Sequence, residues 1–151
     1  MSWLMRIKRN STFRVPLLDI AEGVPVTFNS GVLTLTPDDG SAAIQLTQGN
    51  GKLLMPSFVW KGNWNPATAY VIGDVVLYGE EYYRASSNNT GIRPLGAIQW
   101  DVFGQFTILI SKTEAATYSW ERGNYCLNVV YGNGDEEDGW IAGRVLVGDA
   151  C

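Results

Sequence analysis

Short stretches in which apolar and polar residues alternate recur along this chain, and each is typical of a half-buried β-strand. Phe13, Val15 and Leu17 share one face of the first stretch. The apolar positions of the later stretches follow the same two-residue period: Leu33 and Leu35; Ile44 and Leu46; Phe106, Ile108 and Ile110; Tyr125, Leu127, Val129 and Tyr131; Ile141, Val145 and Val147. Turn sequences at 36–40, 49–51 and 132–135 separate them. Many short strands with frequent turns predict an all-β sandwich.

One helical turn is predicted at residues 111–118. The Ser111 side chain is placed to accept a hydrogen bond from the backbone N–H of Glu114, whose carboxylate reaches back to complete a capping box. Gly123 then provides the stop that ends the helical segment.

Residues 59–103 differ from the rest because aromatic side chains crowd together there. Large rings compensate for a small core, since each buries roughly 150–250 Å². We predict a compact module at 59–103, inserted in a loop of a sandwich formed by 1–58 plus 104–151. Four aromatics are predicted to form its core: Trp60, Tyr78, Tyr83 and Trp100. Four other side chains are predicted to lie on an exposed carbohydrate- or partner-binding surface: Trp64, Tyr70, Tyr82 and Arg84.

The motif inside this stretch runs from Trp60 through Ala69-Tyr70, Gly73-Asp74 and Val76-Leu77-Tyr78. Gly79-Glu80 then suits a two-residue hairpin of type II′, and Tyr83-Arg84-Ala85 and Trp100 follow. The series resembles the chitin-binding-type carbohydrate-binding modules of families 5 and 12, especially the copies in phage tail and fibre proteins. The resemblance covers the whole insertion and implies exposed rings that stack on sugars. Sugar-binding members usually carry aromatics directly after the Tyr-x-Ala element. Here residues 86–91 are Ser-Ser-Asn-Asn-Thr-Gly, which leaves a rigid protein–protein contact as the alternative role.

The flanking segments resemble small immunoglobulin-like proteins encoded among phage head and tail genes. The similarity lies in Ile7–Leu17, Ser111–Ala116, Gly123-Asn124-Tyr125 and Gly143–Val147. The resulting fold class is an immunoglobulin-like antiparallel β-sandwich with a small aromatic-rich β module inserted in a loop. The resemblance implies a structural protein of the virion that docks on other virion proteins, in the tail, baseplate, fibre or head decoration. It would be a symmetric homo-oligomer or present in multiple copies, and its module would contact a host-surface polysaccharide.

Two cysteines, Cys126 and Cys151, occur late in the chain. Strands at 125–131 and 140–147 read as a hairpin that places Cys126 opposite about residue 145, on the face away from Tyr125 and Leu127. The spacing disfavours an internal bridge, so an intermolecular disulfide through Cys151 is weighed against a free terminal thiol. Residues 135–138 crowd four carboxylates at the hairpin tip, and a solvated acidic turn is favoured there over a calcium site.

Composition limits the function classes. The chain has no histidine and a net charge of −4. The first property removes the commonest general base and metal ligand, and the second disfavours a nucleic-acid partner. We therefore expect no catalytic site, no cofactor and no metal. No apolar run is long enough for membrane insertion, and the first residues do not form a secretory signal. A secreted or cell-surface carbohydrate-binding module is the alternative to the virion protein.

Overall fold

The computed structural model describes residues 3–149. Within that range the secondary structure consists of strands and one short helix, α1 (Lys112–Ala115). The strands are β1 (Met5–Lys8), β2 (Phe13–Leu17), β3 (Ile20–Ala21), β4 (Val24–Pro25), β5 (Phe28–Pro37), β6 (Ile44–Leu46), β7 (Leu53–Leu54), β8 (Val59–Asn63), β9 (Ala69–Tyr70), β10 (Asp74–Tyr78), β11 (Glu81–Ala85), β12 (Asn89–Thr90), β13 (Trp100–Val102), β14 (Phe106–Ile110), β15 (Arg122–Tyr131) and β16 (Glu136–Gly148).

Two sheets pack together in the first compact unit, which comprises residues 3–15, 27–55 and 106–149. Their strand orders are β1-β16-β15-β5-β6 and β2-β14-β7. The Phe106 ring of β14 lies 5.1 Å from the Phe28 ring of β5. Gly31 makes room for it, since a Cβ there would stand 2.7 Å from the Phe106 ring. Most of the predicted apolar positions are buried: Leu17, Leu33, Leu35, Leu46, Phe106, Ile108, Ile110, Tyr125, Leu127, Val129, Ile141, Val145 and Val147. Phe13, Val15, Ile44 and Tyr131 are only partly buried. The predicted all-β sandwich is confirmed.

The strand order is that of an immunoglobulin-like sandwich. Strands β16, β15, β5 and β6 occupy the places of G, F, C and C′, and β2, β14 and β7 those of B, E and D. One pair departs from the predicted antiparallel arrangement, because β1 runs parallel to β16, from Met5 opposite Val145 to Lys8 opposite Gly148. Parallel neighbours need a long connection, and nearly the whole chain lies between these two strands.

The second compact unit consists of Pro16–Val26 and Pro56–Gln105. The strands of its aromatic-rich part pair with one another, in the sheet β13-β11-β10-β8 and the pair β12-β9. Pro16–Val26, which the sequence assigned to the sandwich, belongs to this unit through Gln105, which is only 2% exposed. Its Nε2 donates to the carbonyls of Asp19 and Val26, at 2.6 and 2.9 Å. Whether 59–103 forms an independent domain stays a prediction.

The predicted helix cap forms, but the helix is shorter than expected. Ser111 Oγ accepts from the Glu114 N–H at 3.1 Å, as predicted. The Glu114 carboxylate does not reach back to complete the capping box, because it binds the Tyr118 hydroxyl and Lys52 Nζ instead. Gly123 is not the stop, since it lies within β15.

Tyr125 fastens the start of the described chain to the sheet. Its hydroxyl accepts from the Trp3 N–H at 3.0 Å and donates to the Trp3 carbonyl. Gly143 is the cross-strand neighbour of Tyr125. A Cβ on Gly143 would stand 2.8 Å from both the Tyr125 hydroxyl and the Trp3 carbonyl oxygen, so this contact requires a residue without a side chain.

Candidate functional site

The sheet of the second unit has two faces, which the strand register defines. Strands β10 and β11 form the predicted two-residue hairpin at Gly79-Glu80, and Gly79 has the positive φ of 64° that a type II′ turn needs at its first position. Val76 lies opposite Tyr83, and Leu77 opposite Tyr82. Because directly opposed side chains point to the same side, Val76 and Tyr83 belong to one face, and Leu77 and Tyr82 to the other.

The Val76 and Tyr83 face forms the aromatic core of the unit. Tyr70, Tyr83, Ala85 and Trp100 are buried with Val76, and partly buried side chains surround them: Trp64, Tyr78, Ile92 and Ala97. The Tyr70 ring meets that of Trp100 edge-on at 5.2 Å, and its hydroxyl accepts from the Asn65 N–H at 2.8 Å. Tyr70 is 2% exposed, so the prediction that it lies on an exposed surface is wrong. Its phenol fills the core and satisfies a loop amide.

Trp64 also faces this core rather than presenting a free ring. It packs edge-on against Tyr78 with ring centroids 5.4 Å apart. The indole Nε1–H is buried, and no hydrogen-bond acceptor in the described structure reaches it. Trp100, by contrast, donates from Nε1 to the Ile92 carbonyl at 3.0 Å. Trp64 is therefore partly exposed but shows solvent little of its polar edge.

The opposite face carries a partly exposed aromatic pair, Trp60 and Tyr82. Trp60 of β8 lies opposite Val75, and its ring centroid is 5.7 Å from that of Tyr82, with the planes tilted by 35°. The Tyr82 hydroxyl donates to the Gly23 carbonyl at 2.9 Å, which fixes its ring. Two partly exposed rings held side by side offer apolar surface of the kind that stacks on the C–H face of a sugar.

Charged groups border this aromatic pair. Arg84 follows Tyr82 by two residues on the same strand face, and Asp101 of β13 lies directly opposite Arg84. The Arg84 Nε–H donates to the Ser57 carbonyl at 2.9 Å, which orients the guanidinium. An oriented guanidinium beside an exposed carboxylate supplies donors and acceptors for hydroxyl groups. Trp60, Tyr82, Arg84 and Asp101 together are called the aromatic face below.

The structure thus keeps two of the four predicted surface residues, Tyr82 and Arg84, on one partly exposed face and moves Tyr70 into the core. It adds Trp60, which the sequence assigned to the core together with Tyr78, Tyr83 and Trp100. The alternation of residues in β8 does not show which face of the sheet Trp60 lies on, because that face depends on the parallel pairing of β8 with β10. The structure also adds Asp101, whose position opposite Arg84 depends on the register of β13 with β11 and is not indicated by any local sequence pattern.

Exposed apolar side chains are concentrated in the second unit. Seven of the eight large apolar residues that are exposed in the described structure belong to it: Val24, Val59, Val71, Ile72, Leu95, Ile98 and Val102. Exposed apolar groups gathered in one part of a molecule are typical of interaction surfaces.

Cys126 lies on the side of β15 away from the core, as predicted, because Tyr125 and Leu127 are buried while Cys126 is partly exposed. Its cross-strand partner is Ala142 rather than residue 145. The register differs because the turn includes Gly132–Asp135 and the pairing shifts between Leu127 and Val129. The Cys126 thiol donates to Asn128 Oδ1 at 3.2 Å. Cys151 lies outside the described residues, so the intermolecular disulfide stays a prediction.

Within residues 3–149, no group of three or more acidic or cysteine side chains is arranged to hold a metal ion. In the same range, no helix has the length and apolarity needed to cross a membrane. Comparisons of the chain with protein-family models, with curated proteins and with solved structures found no match.

Proposed function

We propose that this chain is a structural attachment protein of a bacteriophage particle. Its immunoglobulin-like sandwich docks on other virion proteins, and its second unit contacts a polysaccharide of the host surface through the aromatic face. The observation that carries the proposal is the Trp60–Tyr82 pair, partly exposed on a separate four-stranded sheet. The role is binding and assembly without catalysis. The sequence resemblance of both parts to phage proteins supports the virion setting.

The chemistry of the aromatic face suits a weak, shallow sugar contact. The Trp60 and Tyr82 rings lie side by side with their planes tilted by 35°, and Arg84 and Asp101 border them with hydrogen-bonding groups. A shallow contact of this kind binds weakly on its own. Many copies on one particle raise the total affinity by about 10²–10⁴ through multivalency, which is why attachment to a symmetric scaffold fits this surface.

Saccharide titration of the ¹⁵N-labelled chain tests the sugar contact. Chitin-type oligosaccharides and host-surface polysaccharides are added, and we expect shifts of the Trp60 indole N–H and the Tyr82 and Arg84 amides. Trp60→Ala should weaken binding by about tenfold or more, equivalent to roughly 1.4 kcal/mol. Lys61→Ala should bind as the native chain does, because Lys61 is the exposed neighbour on the opposite side of β8. Shifts centred elsewhere, or no binding to any surface glycan, would refute the sugar contact.

Quantitative mass spectrometry of purified phage particles tests the virion role separately. We expect the chain to co-purify with the particle at a copy number that is a simple multiple of the symmetry of its scaffold. Absence from washed particles would refute the structural role and leave the saccharide result untouched.

A further inference from the structure

A basic groove lies at one end of the five-stranded sheet. Its volume is about 680 Å³. Five of the eleven basic residues of the chain line it: Arg6, Lys8, Arg9, Arg122 and Arg144. The acidic residues among its lining are Glu121 and Asp149. The chain as a whole has a net charge of −4, so this groove is a positively charged patch on a negatively charged protein.

The register of three strands places these cations on the outer face of the sheet. Arg6 of β1 and Arg122 of β15 are both paired with Leu146 of the strand between them. Met5 and Ile7 are buried, so the alternate residues Arg6 and Lys8 point outward and are exposed. The groove therefore has an apolar floor at Leu146 with cations along both sides.

Part of this positive charge has no acidic partner in the described structure. Arg144 forms a two-pronged pair with Asp38, at 3.0 and 2.5 Å, and Arg9 contacts Asp149 at 3.3 Å. The ion pairs among residues 3–149 include none with Arg6, Lys8 or Arg122. Arg122 lies near the Asp38 carboxylate without pairing with it directly, so Arg6 and Lys8 are the groove cations most available to an external anion.

The opposite end of the same sheet carries the complementary charge. The β15–β16 hairpin turns at residues 132–135, and Asp135, Glu136, Glu137 and Asp138 are all exposed there. Asp135 Oδ2 accepts from Asn133 at 3.1 Å, and Glu137 Oε1 from the Tyr131 hydroxyl at 2.8 Å. None of the described ion pairs involves this acidic tip. At about 3.3 Å per residue, the tip lies roughly 30 Å from Arg122.

We propose that the acidic tip of one copy of this chain docks in the basic groove of another, so that copies associate head to tail. A hairpin tip with four exposed carboxylates is complementary in charge to a groove in which Arg6, Lys8 and Arg122 form no direct ion pair. A second copy fits better than a general polyanion, because the groove is a local patch on an acidic chain. The two contact surfaces differ, so copies associate either as a reciprocal two-fold pair, in which each tip enters the other copy's groove, or as a ring or filament. The inference does not depend on the proposed sugar contact.

Sedimentation velocity of the full chain tests the docking. We expect concentration-dependent assembly at about 20 mM salt. The assembly should dissociate at about 500 mM salt, where strong screening makes the attraction between charges short-ranged. Arg6→Glu with Arg122→Glu, and Glu136→Lys with Asp138→Lys, should each abolish assembly, since like charges then face each other. An equimolar mixture of the two variants should restore it. Lys61→Glu with Arg93→Glu changes the net charge as the groove variant does and should assemble normally.

Zero-length carbodiimide cross-linking of the native chain avoids the risk that a variant misfolds. We expect amide bonds between Lys8 and residues 135–138, and the roughly 30 Å separation within one chain makes such bonds intermolecular. A native chain that stays monomeric at low salt would overturn the proposal. So would variants that assemble like the native chain, or a loss of assembly in the groove variant that mixing does not restore. The last result would assign the groove to a different anion.

Discussion

The two tryptophans of the second unit's core provide a sharp test of how its aromatics are held. The Nε1–H of Trp100 donates to the Ile92 carbonyl at 3.0 Å, whereas that of Trp64 is buried without an acceptor in the described structure. Replacing each tryptophan by phenylalanine removes both N–H groups but breaks one hydrogen bond. We therefore expect Trp100→Phe to be clearly destabilising and Trp64→Phe to be nearly neutral.

The magnitudes follow from the two environments. Trp100 is 4% exposed, so Trp100→Phe leaves a small cavity and strands the Ile92 carbonyl, each at a cost of about 1–3 kcal/mol. A total of about 2–6 kcal/mol is expected. For Trp64→Phe, loss of ring contact costs roughly 1–2 kcal/mol, and removal of an unsatisfied buried donor gives back about 1–3 kcal/mol. The net change in the free energy of unfolding should lie within about 1 kcal/mol of zero.

Urea unfolding followed by far-ultraviolet circular dichroism measures both changes. Hydrogen exchange of the peptide that covers β10 and β11 localises them, because a chain with two compact units need not unfold in one step. Equal destabilisation by the two substitutions would refute the reasoning, as it would mean that the Trp64 indole has an acceptor after all. A neutral Trp100→Phe would refute it as well.

Two further predictions concern the sandwich. Gly143→Ala should lower the free energy of unfolding by about 1–3 kcal/mol through overpacking, because its Cβ would stand 2.8 Å from the Tyr125 hydroxyl. Gly148→Ala in the same strand is the control and should be neutral in the same urea titration, since a Cβ there meets nothing within 4 Å. Equal effects of the two substitutions would contradict the packing argument. The Arg144 hydrogen bond lowers the pKa of Asp38 below its usual 3.8, so this pair stabilises the fold above that pH and the stabilisation is lost as the pH falls through the folded-state pKa. The melting temperatures of the Asp38→Asn and native chains should accordingly differ at neutral pH and converge once the pH is below the folded-state pKa of Asp38. A difference that persists in strong acid would exclude the ion pair as its cause.

Local sequence patterns were sufficient to predict much of the fold. The alternation of Tyr125, Leu127 and Val129 matches three buried positions of β15, because a strand with one buried face must alternate. The hairpin at Gly79-Glu80 and the cap at Ser111 were readable for a similar reason, since each depends on residues within one turn. The features that the sequence did not reveal all depend on distant pairings.

Tyr70 and Trp60 illustrate that limit. Both are aromatic residues in a stretch rich in aromatics, and only the packing of Trp100 on Tyr70 and the parallel register of β8 with β10 decide which ring is buried. The attachment of Pro16–Val26 to the second unit depends on Gln105 and Tyr82, which lie 79 and 59 residues from their partners Val26 and Gly23. The basic groove likewise assembles from strands at both ends of the chain, so no window of the sequence displays it.

The parallel contact between β1 and β16 has a mechanical consequence. A pull that enters before Met5 and leaves after Gly148 drags the two strands in opposite directions along their length. All the residue pairs from Met5–Val145 to Lys8–Gly148 then carry the force simultaneously, so their hydrogen bonds do not break one after another. A chain held at both ends would thus resist stretching through this short ladder, with the rest of the sandwich shielded behind it.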